Sequence, residues 1–342
     1  MRTTSRLALT GIATVAALTL AACGGNGDGS DSTAGGGDGK TLKLALNQNE
    51  EHPSFTALEA FGEELSEATD GRWDIEVYPN ATLGAQDETI QLVSDGGVEL
   101  SIVSAPQLEN LNDDFVVFSL PTVFTDVEGQ MAVINDPEVV GDVYASLEES
   151  QNFSVIGGIT QGARSFYVKD GPIETPADME GKKIRVQESP VFIAMMEALG
   201  ASPTPMAFGE VYTGLQSGVI DGAENNEVSY FSQKHFEVAP YFSYTRHLVG
   251  ADFLIANTGV LDEMSEEDRA AFDEAWQNTA DYHTELWGEA TEEAIAEATA
   301  GGATFSEVDA DAFTEALSPL IDEFVTTDTQ RALYDAIKAA TE

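Results

Sequence analysis

Residues 41–78 read TLKLALNQNEEHPSFTALEAFGEELSEATDGRWDIEVY, and their periodicity decides the fold class. Thr41 to Leu46 alternates apolar and polar side chains, the pattern of a half-buried strand. Pro53 to Thr69 then puts Phe55, Leu58, Phe61 and Leu65 on one stripe, the spacing of an amphipathic helix. Asp74 to Tyr78 alternates again. A strand, a helix and a strand in this order imply an α/β layered architecture.

The rhythm continues downstream. Asp87 to Asp95 is expected to be helical and Glu99 to Val103 a strand, followed by a long apolar section around Phe115 to Phe124. Ser154 to Gly157, Ser165 to Lys169 and Lys183 to Gln187 read as strands. Pro190 to Leu199 reads as a helix closed by Gly200 as a left-handed cap. Phe208 to Gly218 is a further helix and Val249 to Asn257 a further strand. From Ser265, with acids in the first turn, nothing breaks a helical pattern until about Ala300, although Gly288 is a candidate kink. At ~1.5 Å per residue such a helix spans roughly 50 Å, enough to tie two domains together. Gly301-Gly302 ends it.

Upstream of the globular pattern the composition changes. The chain opens on a basic Met1-Arg2-Thr3-Thr4-Ser5-Arg6, followed by an apolar stretch from Leu7 to Leu20 and then Ala21-Ala22-Cys23. A basic start, a short apolar run and small residues at a cut site make a secretory leader over 1–22. The L-A-A-C run resembles the bacterial lipobox, whose cysteine is lipidated. Cys23 is the only cysteine, so no internal disulfide is possible. The Gly/Ser/Asp-rich residues 23–40 read as a flexible tether. The expectation is a lipid-anchored protein on the extracytoplasmic face of a membrane.

The chain has 342 residues and 42% apolar side chains, enough for two domains with a sizeable core. Sixty acids against 15 bases give a formal charge of −45. Nucleic acid is excluded as a partner, because phosphate contacts need Lys and Arg. So acidic a surface would suit a salty exterior, where screening is strong. Enzyme signatures are missing. His52, His235, His247 and His283 form no metal spacing, and there is no G-x-S-x-G elbow and no P-loop. Glycines 157, 158 and 162 do not match the dinucleotide fingerprint. Among 60 acids any carboxylate pair can be found, so pairing carries no information. The reading is a non-enzyme without cofactor or metal.

Cations are informative because they are scarce. Of the 13 that follow the leader, five lie within Arg164 to Arg185. In Lys183-Ile184-Arg185-Val186 the apolar pair points to one face and Arg185 to the other. Both faces of an α/β sheet are usually covered. A guanidinium there needs an anionic partner, either an internal acid or a bound carboxylate, which its planar fork grips with two parallel hydrogen bonds.

Several runs resemble the DctP-type substrate-binding proteins of TRAP transporters. They are Gly162-Ala163-Arg164, IETPADMEGKKIRV at 173–186, LGASPTPMAFGEVY at 199–212 and LQSGVIDGAEN at 215–225. Tyr78-Pro79-Asn80 followed by Leu83-Gly84 is similar too, and the order and spacing of all these runs agree with the family. The resemblance implies a two-domain, periplasmic-binding-protein-like clamshell with a long interdomain helix. One lobe would comprise 41–161 and 251–288, the other 162–250 and 289–342. The ligand would be a small organic acid, delivered to a TRAP membrane permease. By the same analogy Arg185 is the main carboxylate clamp and Arg164 a second cation at the cleft. Asn225 would hydrogen-bond the ligand and Phe208 pack on its carbon skeleton or simply in the core. Asn47 and His247 fall where other members line the cleft.

Departures from the family pattern also speak. Ser104 and Gln107 stand where the sialic-acid branch carries a charged pair, against a sialic acid ligand. The doubled Asn225-Asn226, with Ser229 and Tyr230, is similar to the sugar-acid binders of the family and suggests a uronate or aldonate. Alternatively, Asn226 caps the following helix. Other readings are the binding component of a sensor, a secreted lipoprotein glycosidase or lyase, and an ABC-type binding protein. The last shares the clamshell but not the motif series.

Overall fold

The computed structural model of the protein describes residues 39–341. The expected leader, Cys23 and all but the end of the expected tether lie outside the described residues.

Among the described residues nine strands form one sheet. In one half, β1 (Lys40–Ala45) lies between β2 (Trp73–Tyr78) and β3 (Leu100–Ser104), all parallel. The alternation of β1 is physical: Leu42 and Leu44 are fully buried while Thr41 and Lys43 face water. The crossover from β1 to β2 is the helix Pro53–Ala68, which buries Leu58, Phe61 and Leu65. His52 starts it by accepting a hydrogen bond from the Ser54 amide at 3.2 Å, with Pro53 in the first turn.

In the other half, β5 (Lys183–Val186) runs parallel to both β6 (Ser202–Pro205) and β7 (Gly222–Asn225). Two long antiparallel strands, β4 (Phe153–Val168) and β8 (Tyr241–Asn257), join the halves. The order is β2-β1-β3-β8-β4-β7-β5-β6, and β9 (Thr304–Glu307) pairs with β8.

β4 differs from expectation. The sequence suggests two strands, 154–157 and 165–169, separated by glycines; the chain stays extended throughout. The glycines and the polar Thr160-Gln161 are absorbed as register shifts between Val155 and Gly157, Thr160 and Ala163, and Arg164 and Phe166. A bulge lets a strand continue while re-aiming its side chains. At the central shift Gly162 has φ +62°, and a Cβ there would sit 2.5 Å from Trp287 Nε1. Only glycine meets both demands. The expected lobe boundaries, 161/162 and 250/251, fall here, where Thr160 pairs with Ala251 and Ala163 with Val249.

The long helix is Glu266–Ala300, 35 residues and continuous through Gly288. Ser265 caps it by accepting from the Asp268 amide, and Glu266, Glu267 and Asp268 complement the positive end of its dipole. Its first part packs Phe272 and Trp276 against Phe61, with ring centroids 5.2 and 5.6 Å apart. Its later part packs Trp287 and Ala294 against Val228 of the helix Glu227–Ser232. One helix therefore touches both halves of the sheet. The final helix, Asp328–Thr341, packs on Val127–Ile134 and Pro137–Ala145, so the end of the chain expected in the second lobe returns to the first. No described helix is long and apolar enough to cross a membrane.

Candidate functional site

The C-terminal ends of β1, β3, β5 and β7 converge on a cleft of about 470 Å³ between the two halves. Such crevices at the carboxyl ends of parallel strands are where α/β sheets take ligands. One wall carries Asn47 and Gln48 from the loop after β1, Gln86 from a helix N-terminus, and Ser104 from the end of β3. The opposite wall carries Arg185 and Gln187 from β5 and the segment beyond it, Met206 to Glu210, and Asn225 from the end of β7. Gln161 and Arg164, from the bulged centre of β4, lie between.

Arg185 is 3% exposed. Its Nε and Nη2 donate to the Met206 carbonyl at 3.0 and 2.8 Å. A guanidinium has five N–H donors, so three are left, and no carboxylate among the described residues lies within ion-pair distance. Burial lowers its pKa to about 10, against the opposing pull of Glu224, so it is charged at neutral pH. The ring of Phe208 lies 5.9 Å from its Cζ and edge-on to His235. Phe208 is half-buried and keeps one side on the cleft.

Arg164 lies on the cleft floor, but its donors are spoken for. Nε and Nη2 grip Glu224 at 2.6 and 2.7 Å, Nη2 also donates to the Glu224 carbonyl at 3.0 Å, and Nη1 donates to Gln161 at 2.6 Å and to Asn225 at 2.9 Å. All five N–H groups are used. Burial pushes the Glu224 carboxyl up, but the Arg164 charge and the adjacent His247 outweigh it and hold the group below the ordinary value. Arg164, expected as a second cation at the cleft, lines it, with its charge paired to Glu224.

Asn225, on the cleft wall, accepts through Oδ1 from Arg164 at 2.9 Å and from the Asn226 backbone amide at 2.9 Å, which fixes its side chain. Asn47 Oδ1 and Gln48 Oε1 are buried acceptors without a partner. Seven of the lining residues are Asn or Gln, a surface able to both donate to and accept from hydroxyl groups.

Two expected site residues stand elsewhere. Asn226 is 1% exposed, and its Oδ1 accepts from the Ser229 amide at 2.7 Å, capping the helix Glu227–Ser232. The capping alternative describes it, and Ser229 and Tyr230 are likewise off the cleft wall. His247 lies behind the wall, stacked on Phe166 at 4.6 Å with Nε2 3.6 Å from Glu224, longer than a hydrogen bond. Burial depresses its pKa. The amides Gln48, Gln86, Gln161 and Gln187 were not singled out from the sequence. The one available signal was position: Gln48 and Gln187 each follow a strand end. Among the described residues no cluster of His, Cys, Asp and Glu is arranged to hold a metal.

With this geometry in view, the comparisons with known proteins are direct. The family described as bacterial extracellular solute-binding protein, family 7 (DctP) matches residues 44–328. A solute-binding protein of Chromohalobacter salexigens is 38% identical over 275 residues, 80% of this chain and 81% of its own. A TRAP periplasmic solute-binding protein of Anaerococcus prevotii, solved with bound D-glucuronate, is 39% identical with a TM-score of 0.85, over 88% of this chain and 97% of that one. Another, of Xanthobacter autotrophicus with bound β-D-galacturonate, is 33% identical with a TM-score of 0.82, over 87% of this chain and 99% of that one.

Proposed function

This chain belongs to bacterial extracellular solute-binding protein family 7, and from that premise we propose that it captures a hexuronate, such as D-glucuronate or D-galacturonate, for uptake through a TRAP-type membrane permease. The observation that carries the reading is Arg185: a buried cation with no carboxylate partner among the described residues and spare donors at a cleft. A bound carboxylate completes it with two parallel hydrogen bonds. The amide-rich walls answer the hydroxyls of a sugar acid, and Asn47, Gln48 and Asn225 are the first candidates. Phe208 gives the carbon skeleton an apolar face beside the carboxylate. The uronates bound by the two solved neighbours support the same ligand class.

An anionic protein binding an anion is no contradiction. Surface acids act through water and are screened within ~10 Å at ordinary salt, whereas Arg185 acts at contact in a low-dielectric cleft. Binding proceeds by closure of the two lobes about the bulge at Thr160–Ala163 and the opposing Val249–Ala251, with the Glu266–Ala300 helix spanning both. The family's members are substrate-binding components, and this one releases its ligand unchanged. Cys23 carries the lipid anchor, and the segment after it holds the lobes clear of the membrane. Mass spectrometry of the membrane-extracted protein tests this, and a mature N-terminus other than acylated Cys23 would refute it.

Thermal unfolding in the presence of acids and neutral sugars tests the ligand class. At 100 times its dissociation constant a ligand adds about 2.7 kcal/mol, a shift of a few degrees. D-glucuronate or D-galacturonate is expected to raise the midpoint while D-glucose does not. A shift from glucose but not from either uronate would sink the carboxylate clamp.

A further inference from the structure

We propose that the cleft continues into a second subsite, the groove between Ile90 and Ile193, which takes an uncharged apolar group attached through the anomeric oxygen of the sugar acid. The ligands then include uronide conjugates as well as free uronates. This rests on the sugar-acid reading above and extends it.

Beside the cleft lies a groove of about 580 Å³, within the ~300–1,000 Å³ of ordinary small-molecule sites. The two cavities share a boundary, since Asp87, Gln107, Glu188 and Pro205 line both. Like the cleft, the groove is built from both halves of the molecule. Ile90 of the helix Gln86–Ser94 and Leu111, just beyond the helix Ala105–Glu109, form one wall. Pro190 and Ile193 of the helix Pro190–Ala198, with Pro205 at the end of β6, form the other. Two hydrogen bonds tie the walls together. Asn110 Nδ2 donates to the Glu188 carbonyl at 3.0 Å, and Ser189 Oγ donates to Glu109 Oε2 at 2.6 Å.

The chemistry of the groove differs from that of the cleft. Among the described residues no Arg, Lys or His lines it, and its only charged side chains are Asp87 and Glu188, exposed at the shared boundary. An anionic group has no counter-charge to meet there. An apolar group covers Ile90, Leu111 and Ile193 and takes their surface out of water. The path from clamp to groove runs along one segment: Arg185 and Gln187 line the cleft, Glu188 lines both cavities, and Pro190 lines the groove. In a uronate the carbon that bears the carboxylate and the anomeric carbon flank the same ring oxygen. With the carboxylate on Arg185, the anomeric oxygen is the position at which a glycosidic bond carries a substituent onward. A group in the groove touches both walls, as the sugar touches both walls of the cleft, and favours the same closed arrangement.

Calorimetric titration of the purified protein with D-glucuronate, methyl β-D-glucuronide and 4-nitrophenyl β-D-glucuronide tests the subsite. The methyl glycoside is expected to bind within tenfold of D-glucuronate. The nitrophenyl glycoside is expected to bind at least ~10-fold more tightly than the methyl one, the order set by burying one face of a ring after the cost of ordering it. Removing the carboxylate, in 4-nitrophenyl β-D-glucoside, is expected to weaken binding at least ~30-fold relative to the glucuronide. In Ile193→Ser the nitrophenyl-over-methyl advantage is expected to fall below threefold while D-glucuronate affinity changes less than twofold. A merely structural role for Ile193 would lower stability and leave that advantage alone. Glycosides bound more than 100-fold more weakly than D-glucuronate, or the two glycosides bound within threefold of each other, overturn the inference while uronate binding stands. So does an unchanged advantage in a folded Ile193→Ser, or a glucoside bound as tightly as the glucuronide. If D-glucuronate and its glycosides all fail to bind, the sugar-acid reading falls and the subsite with it. Should the variant not fold, the wild-type comparison decides.

Discussion

Two arginines some twenty residues apart show how partners, not residue type, assign roles. Arg164 has a buried carboxylate and every donor engaged; Arg185 has one carbonyl and spare donors. Arg185→Ala is expected to weaken uronate binding at least ~100-fold while the ligand-free protein unfolds within a few degrees of wild type, because no internal acid is orphaned. Arg164→Ala leaves Glu224 buried and alone and is expected to cost about 3–5 kcal/mol in urea unfolding. Equal stability of the two variants would contradict the distinction. Asn226→Ala removes a helix cap and is expected to cost about 1 kcal/mol with affinity changed less than threefold; a large loss of affinity would return Asn226 to the site. Burial raises the Asp252 carboxyl to about 6, against the hydrogen bond it accepts from Gln161. Its folded pKa lies above the unfolded one. Its contribution is therefore whole below about pH 4 and is lost as pH rises through about 6. Asp252→Asn is expected to be more stable than wild type at pH 7 by about 2–3 kcal/mol and level with it at pH 4. The difference in urea midpoint at the two pH values checks this.

At the scale of elements, the sequence was legible where one physical signal dominated. Periodicity identified the strands at β1, β2 and β3 and the helices Pro53–Ala68 and Glu266–Ala300 to within a residue or two. The cap at Gly200, with φ +75°, followed from its place after an apolar helix. Periodicity failed where tertiary contacts override it. β4 looked like two strands because its centre is glycine and polar residues, yet those are what a bulge beside a cleft requires. β7 was not recognised, because Glu224 and Asn225 do not look like a buried strand until Arg164 is opposite them. β6 holds two prolines, tolerable only because the strand is at the sheet's edge. Of the residues singled out from the sequence, Arg185, Arg164, Asn225, Phe208 and Asn47 line the cleft; the glutamines did not stand out, since nothing local marks a polar residue as cleft-facing. Gly162→Ala tests the bulge. It places a Cβ at positive φ against Trp287 and is expected to lower stability by at least ~1–2 kcal/mol, read in urea unfolding. An unaffected midpoint would show that the bulge does not need glycine.

Across the whole molecule the histidines act together. His52, His235 and His283 are each pushed down to about 3, chiefly by burial, and His247 is lowered as well. Below about pH 6.5 the unfolded chain takes up protons that the native histidines refuse. Stability is thus present above that pH and falls by up to ~1.4 kcal/mol per pH unit for each group as acid is added. Glu224, held below its ordinary value, adds to the loss at still lower pH, while Asp252 offsets part of it. A urea midpoint that falls steadily from pH 6.5 to 4 is expected; a flat one would mean the histidines titrate freely. The proposed function rests on Arg185, a guanidinium at the junction of two half-sheets with no carboxylate partner among the described residues. The most direct test is calorimetric titration of the protein with D-glucuronate beside Arg185→Ala. Saturable binding at one site in the wild type, lost at least ~100-fold in a variant that still folds, is the predicted result. Comparable affinity in the two proteins would contradict it and return Arg185 to a purely structural role.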